Sequence, residues 1–141
     1  MIAIDTDILA IHHIFVWDPR RKANEEFFER VKGDASTPIH SLLELCGLFS
    51  LSGLASKVDS VVEKYLRSRE VEIIFPTYHE DWGDYVSALS AYVKRGFSYG
   101  DSLVAEAVEQ TDAESFITWN KKHFEGRLKI NVLTPEEYLT E

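Results

Sequence analysis

The most constraining feature of this chain is an alternation. Short apolar or β-branched runs at residues 1–4, 35–37, 71–75, 114–118 and 129–133 are separated by longer segments whose apolar residues recur at helical spacing. Runs that short read as strands, and a 3.6-residue period reads as helix. Strands that alternate with helices pair in parallel through crossovers, and a parallel sheet is covered on both faces. The expected fold is therefore α/β, a mostly parallel sheet sandwiched by helices, in one domain spanning residues 1–141.

The helices carry their own signals. Residues 6–14 follow the first strand directly. Asp18-Pro19 opens a helix whose face is Ala23, Phe27, Phe28 and Val31, and Gly33 ends it. Residues 41–49 form the next helix, Gly53 breaks the chain, and Val58, Val61, Val62, Tyr65 and Leu66 give a further helical face. Thr77, with Glu80 three residues on, is expected to cap a long helix running to residue 94, and residues 99–110 form another after Gly96. Thr134-Pro135-Glu136-Glu137 opens a last short helix with a capping box and a proline at its first position.

Sites in such sheets form at the carboxyl ends of strands. Asp5 ends the first strand, with Asp7 two residues on. Glu44 falls in the first turn of the helix after the second strand, Asp101 in the first turn of the helix near Tyr99, and Asn120 just past the fourth strand. Carboxylates within ~4 Å repel by roughly 4 kcal/mol per pair at an effective dielectric near 20, so they protonate, spread apart or hold a cation. All-oxygen ligands suit Mg2+ or Mn2+, which activate water and stabilise charge on a phosphodiester. Thr6 and Thr118 are candidate hydrogen-bond donors to the acids. Local roles fit the same residues: Ser41 to Glu44 and Ser98 to Asp101 both have capping-box spacing, and Asp5 with Asp7 suits a turn.

These segments resemble the PIN domain family, in particular the ribonuclease toxins of VapC-type toxin–antitoxin pairs. Ile4-Asp5-Thr6-Asp7-Ile8-Leu9 is similar to the family's first motif. Ser41-Leu42-Leu43-Glu44-Leu45 is similar to its second, and Gly100-Asp101-Ser102-Leu103-Val104-Ala105-Glu106-Ala107 to its third. Ile117-Thr118-Trp119-Asn120-Lys121-Lys122-His123-Phe124, with Leu133-Thr134-Pro135-Glu136-Glu137-Tyr138-Leu139, resembles the closing segment. The resemblance implies a three-layer α/β/α sandwich and Mg2+- or Mn2+-dependent RNA cleavage. It implies Asp5, Glu44 and Asp101 as catalytic, metal-binding acids, an antitoxin partner and a homodimer. Many members carry Asp where this chain has Asn120. An amide ligates a hard cation without adding charge, so one tightly held ion is expected, with Asp7 compensating in part.

Composition narrows the alternatives. The net charge of −9 excludes a generic polyanion coater, and the single cysteine, Cys46, excludes an intrachain disulfide framework. No basic segment precedes an apolar run at the start, and no apolar stretch suits a membrane span, so the expectation is a cytoplasmic protein. Gly100-Asp101-Ser102-Leu103 spells the block of one esterase class, but no base and orienting acid accompany Ser102. A phosphatase reading with Asp5 as nucleophile leaves Glu44 unexplained. The alternative from another class is a PIN-type module that holds a metal or a protein without cutting. His12 and His13 lie near the first motif and are expected to be solvated or partly buried, with phosphate contact as the alternative. Arg20, Arg21, Lys22, Lys121, Lys122, Arg127 and Lys129 are candidates for a basic rim. Trp82, Tyr85, Tyr92, Phe97 and Tyr99 are read as core or dimer interface, and the leucine-rich 42–51 segment as a self-interface or antitoxin groove.

Overall fold

A computed structural model describes residues 1–141. In chain order the elements are β1 (Ile2–Ile4), α1 (Thr6–His13), α2 (Arg21–Val31), β2 (Ala35–Pro38), α3 (Ile39–Leu51), a 3-10 turn (Ala55–Lys57), α4 (Val58–Arg67) and β3 (Val71–Ile74). The second half follows as α5 (Trp82–Lys94), α6 (Tyr99–Glu109), β4 (Ser115–Ile117), α7 (Lys121–Phe124), β5 (Asn131–Leu133) and α8 (Pro135–Thr140). All five strands are parallel, in the order β3-β2-β1-β4-β5.

The pleat sorts the core into two layers. Ile2 and Ile4 of β1, Ile117 of β4 and Leu133 of β5 face one layer, filled by Ile8, Leu9, Phe27, Phe28, Leu42, Leu45 and Phe49 from α1, α2 and α3. Ala3, Phe116 and Val132, their alternate neighbours, face the other, filled by Tyr92, Val104, Val108 and Phe124 from α5, α6 and α7 and by Phe97 from the α5–α6 loop. The sheet is thus covered on both faces, as its near-continuous apolar strands require. Gly33, at φ +91°, supplies the left-handed residue that turns the chain out of α2 into β2.

Two helix starts differ from expectation. The helix expected from Thr77 begins at Trp82, because Asp81 is the cap and its carboxylate accepts the Asp84 N–H at 2.8 Å. The Asp84 carboxylate in turn accepts the Glu80 N–H at 3.2 Å, while Thr77 Oγ1 is buried without a partner. The helix carrying Glu44 begins two residues earlier than expected, at Ile39. Ser41 therefore lies inside the first turn, and its hydroxyl caps nothing. The short helix α7 carries no periodic signal of its own. The final capping box forms as expected, with both the Thr134 and the Glu137 bond present.

The strand order reverses at β1. Its neighbours are β2 on one side and β4 on the other, so the crossovers leaving β1 and β4 diverge. Such a switch point opens a crevice at the carboxyl edge, and Asp5 emerges directly into it.

Candidate active site

Asp5 caps α1 while β1 still holds its backbone, the Asp5 N–H donating to Ile117 O at 3.1 Å. Its side chain is 8% exposed. Oδ1 accepts the Thr6 N–H at 2.8 Å, and Oδ2 lies 2.8 Å from the Thr118 hydroxyl at the end of β4. Asp7 Oδ2 gathers the Trp119 N–H at 2.8 Å, the Asn120 N–H at 3.1 Å and the same Thr118 hydroxyl at 3.1 Å. Thr118 thus bridges the two carboxylates with one proton, and Asp7 ties the start of α1 to the loop that carries Asn120.

The remaining candidates come from separate elements. Asp5, Thr6, Asp7, Glu44, Asp101, Asn120 and His123 line one cleft of about 250 Å³. The structure removes the capping explanation for Glu44, since Ser41 is misplaced for it. It halves that explanation for Asp101: Ser98 accepts the Asp101 N–H at 3.1 Å, but the Asp101 carboxylate returns no bond. That carboxylate instead stands 3.7 Å from His123 Nδ1.

The electrostatics are those of a site short of positive charge. Burial, and after it the charge of Asp7, hold the Asp5 carboxyl well above the usual carboxylate range. Burial pushes Asp7 to about 6. Glu44 is also raised, by burial foremost, with Asp101 adding in the same direction and nearby Thr6 opposing. No three of these side chains, nor any other trio of His, Cys, Asp or Glu, close tightly enough in this geometry to form a ready ligand cluster. The donor chemistry nevertheless fits a hard divalent cation: three carboxylates and one amide oxygen face a shared cleft. Two buried oxygens beside it, Thr6 Oγ1 and Asp7 Oδ1, lack any partner within the protein.

No family model matches the chain, and no curated protein does. Solved structures do. A toxin–antitoxin complex from Klebsiella pneumoniae shares 16% identity at a TM-score of 0.66, over 96% of this chain and 98% of that one. VapBC2 from Rickettsia felis, bound to a DNA fragment from its promoter, shares 17% at 0.65, over 95% and 98%. The sarcin–ricin-loop-cleaving toxin VapC20 of Mycobacterium tuberculosis shares 15% at 0.63, over 82% and 87%. The fold is PIN-like. At these identities the likeness speaks for the backbone alone, and what the PIN-like scaffold does here rests on the residues in its cleft.

Several residues gain a place that pattern reading did not give them. Asn24 is fully buried, where its amide donates to Ile8 O at 3.0 Å and its carbonyl oxygen accepts Trp119 Nε1–H at 2.8 Å. It locks α2 to α1 and to the loop after β4. The available signal was a polar residue at helical spacing on the apolar face of Phe27, Phe28 and Val31. Arg20, one of seven candidates for a basic rim, lines the cleft itself, whereas Arg21 is paired with Glu25 at 2.7 Å and Lys121 with Glu137 at 2.9 Å. His12 stacks on Phe28 and bonds Glu25 at 2.9 Å. His13 bonds the Tyr65 hydroxyl at 2.6 Å, and burial lowers it to about 4. Both histidines are partly buried, as expected.

The aromatic group divides. Tyr92 and Phe97 are core, while Tyr78, Trp82, Val86, Val93 and Tyr99 leave an exposed apolar stripe along α5 and beside it. Within the leucine-rich segment, Leu42, Leu45 and Phe49 are core, and Leu43 and Leu51 are exposed. No helix is long and apolar enough to cross a membrane.

Proposed function

We propose that this chain is an endoribonuclease of the VapC toxin type, hydrolysing RNA phosphodiester bonds in the acidic cleft. The observation that carries the reading is the meeting of Asp5, Glu44, Asp101 and Asn120 from β1, α3, α6 and the β4–α7 loop at one cleft at the switch point of a PIN-like sheet. Sequence spacing alone left each acid with a local role. Their shared cleft leaves Glu44 and Asp101 carboxylates that cap nothing.

Mg2+ or Mn2+ would be held by Asp5, Glu44, Asp101 and Asn120, and when bound would supply Lewis acidity toward phosphate and a lowered pKa for bound water. The chain's own groups prepare the site. Thr118 and the Thr6 N–H fix the rotamer of Asp5, and Asp7 fixes the backbone that presents Asn120. Asp101 and His123 also line the cleft, 3.7 Å apart, and Phe15, Leu48 and Val104 are among its apolar lining. In the reaction a water oxygen bonds to phosphorus as the bridging P–O bond breaks, and the proton passes to the leaving oxygen.

The toxin–antitoxin neighbours support an antitoxin as partner, and the exposed apolar stripe on α5 is the surface on which a homodimer would form. Metal-stripped protein is tested on single-stranded and structured RNA with Mg2+ or Mn2+ restored. Cleavage that chelator abolishes is expected. No cleavage of any RNA with either ion would leave a PIN-type binding module as the better reading.

A further inference from the structure

The acidic cleft poses a problem for a polyanionic substrate. Of the residues lining it, Asp5, Asp7, Glu44 and Asp101 are acids, and the only permanent cation is Arg20. That cation is built in. Asp18 receives the Arg20 backbone N–H at 2.8 Å, Nε–H at 2.9 Å and an Nη2–H at 2.9 Å. This fork fixes the guanidinium plane. The same guanidinium lies over the Trp119 ring, 5.5 Å from its centroid. Trp119 is itself pinned from two sides, through Nε1–H to buried Asn24 and through its backbone N–H to Asp7.

The chain of contacts therefore runs from Asp7 through Trp119 to Arg20. The Asp18 fork uses Nε and one N–H of Nη2. The two Nη1 hydrogens and the second Nη2 hydrogen have no partner in the protein. Half of the Arg20 side chain, 46%, remains exposed at the cleft, against 18% for Asp18. A guanidinium oriented by one carboxylate and a ring, with N–H groups on Nη1 and Nη2 still free, has the geometry that receives a phosphate in a bidentate fork.

We infer that Arg20 is the residue that grips an RNA phosphate beside the bond being cut, with Asp18, Trp119 and Asn24 positioning it. This inference rests on the ribonuclease reading and adds to it where the substrate strand enters. Arg20 is then a binding residue, and its loss weakens substrate capture more than it slows chemistry.

The test uses the full chain carrying Asp101→Asn, so that RNA survives, and follows a fluorescent single-stranded RNA by anisotropy across a salt series. Adding Arg20→Ala is expected to weaken binding about tenfold and to lower the slope of log affinity on log salt by about 0.7, one phosphate contact on a single strand. Arg20→Lys is expected to keep the slope and to recover only part of the affinity. Arg67→Ala, an exposed cation on α4 paired with Glu63 outside the cleft, is expected to change neither. On the chain without Asp101→Asn, Arg20→Ala should raise KM about tenfold with kcat within about threefold. Unchanged affinity and slope in Arg20→Ala, while the Asp101→Asn parent binds RNA and the wild type cuts it, would overturn the inference and leave the ribonuclease reading standing. If no version of the chain binds or cuts RNA, both fall together.

Discussion

Replacing Asp7 with Asn should make the metal-free protein more stable, although Asp7 accepts three hydrogen bonds. The reason is the cost of charge at that position. Burial raises Asp7 from the ordinary 3.8 to about 6 in the folded chain. Below about pH 4 both folded and unfolded chains hold the proton, and the group favours neither. Between about 4 and 6 the unfolded chain releases it first, so stability falls as pH rises. Above about 6 the full cost is present, roughly 3 kcal/mol for a gap of about two pH units. An amide keeps the carbonyl oxygen that Thr118, Trp119 and Asn120 address, and puts its NH2 where Oδ1 now lies buried without a partner. That unmatched amide costs about 1 kcal/mol, leaving a net gain of about 2 kcal/mol at neutral pH. It also removes a charge that helps raise Asp5. The assay is urea unfolding in chelator at pH 7.5 and pH 4, wild type against Asp7→Asn. The gain is expected at pH 7.5 and should shrink toward zero or reverse slightly at pH 4. A variant less stable than wild type at pH 7.5, or a difference independent of pH, would refute the claim that the cleft stores uncompensated negative charge.

Other outcomes follow from individual contacts. Asn24→Ala removes two buried hydrogen bonds and should cost about 3 kcal/mol in denaturant unfolding, with a shift in Trp119 fluorescence in a Trp17→Phe, Trp82→Phe background. Asp81→Ala should cost about 1 kcal/mol as a lost helix cap, whereas Thr77→Val should cost nothing in the same unfolding assay, since the Thr77 hydroxyl is buried and unbonded. If the exposed stripe on α5 is the homodimer surface, Trp82→Glu should lower the mass seen in sedimentation from dimer to monomer; an unchanged dimer would move the interface elsewhere.

Much of this arrangement was legible in the chain because short strands leave strong marks. Asp5 stood out because an apolar strand stops on it, and the structure puts it at the sheet edge for that reason. Asp101 was legible in place but not in role, since Ser98 three residues earlier is a real cap. Glu44 looked like a capping partner because spacing cannot reveal that α3 starts at Ile39, ahead of Ser41. The same weakness placed the start of α5 at Thr77, whereas the cap that forms is Asp81, whose carboxylate accepts the Asp84 N–H. The strand order was hidden altogether, because it depends on which apolar faces meet and not on any local run. So was Asn24, whose partners lie 16 and 95 residues away. Arg20 appeared only as one cation among seven, and what separates it is the fork to Asp18 and the ring of Trp119.

The central claim is that Asp5, Glu44, Asp101 and Asn120 form a hydrolytic RNA-cutting site that works with a divalent cation. The most direct measurement is a cleavage time course on end-labelled RNA by wild type and Asp101→Asn, purified side by side, in Mn2+ and in chelator, with the product termini identified. Wild type is expected to cut in Mn2+ alone, to leave linear phosphate termini from attack by water, and to cut at least about 100-fold faster than Asp101→Asn. Equal cutting by the two proteins, cutting that persists in chelator, or 2′,3′-cyclic phosphate termini would contradict it.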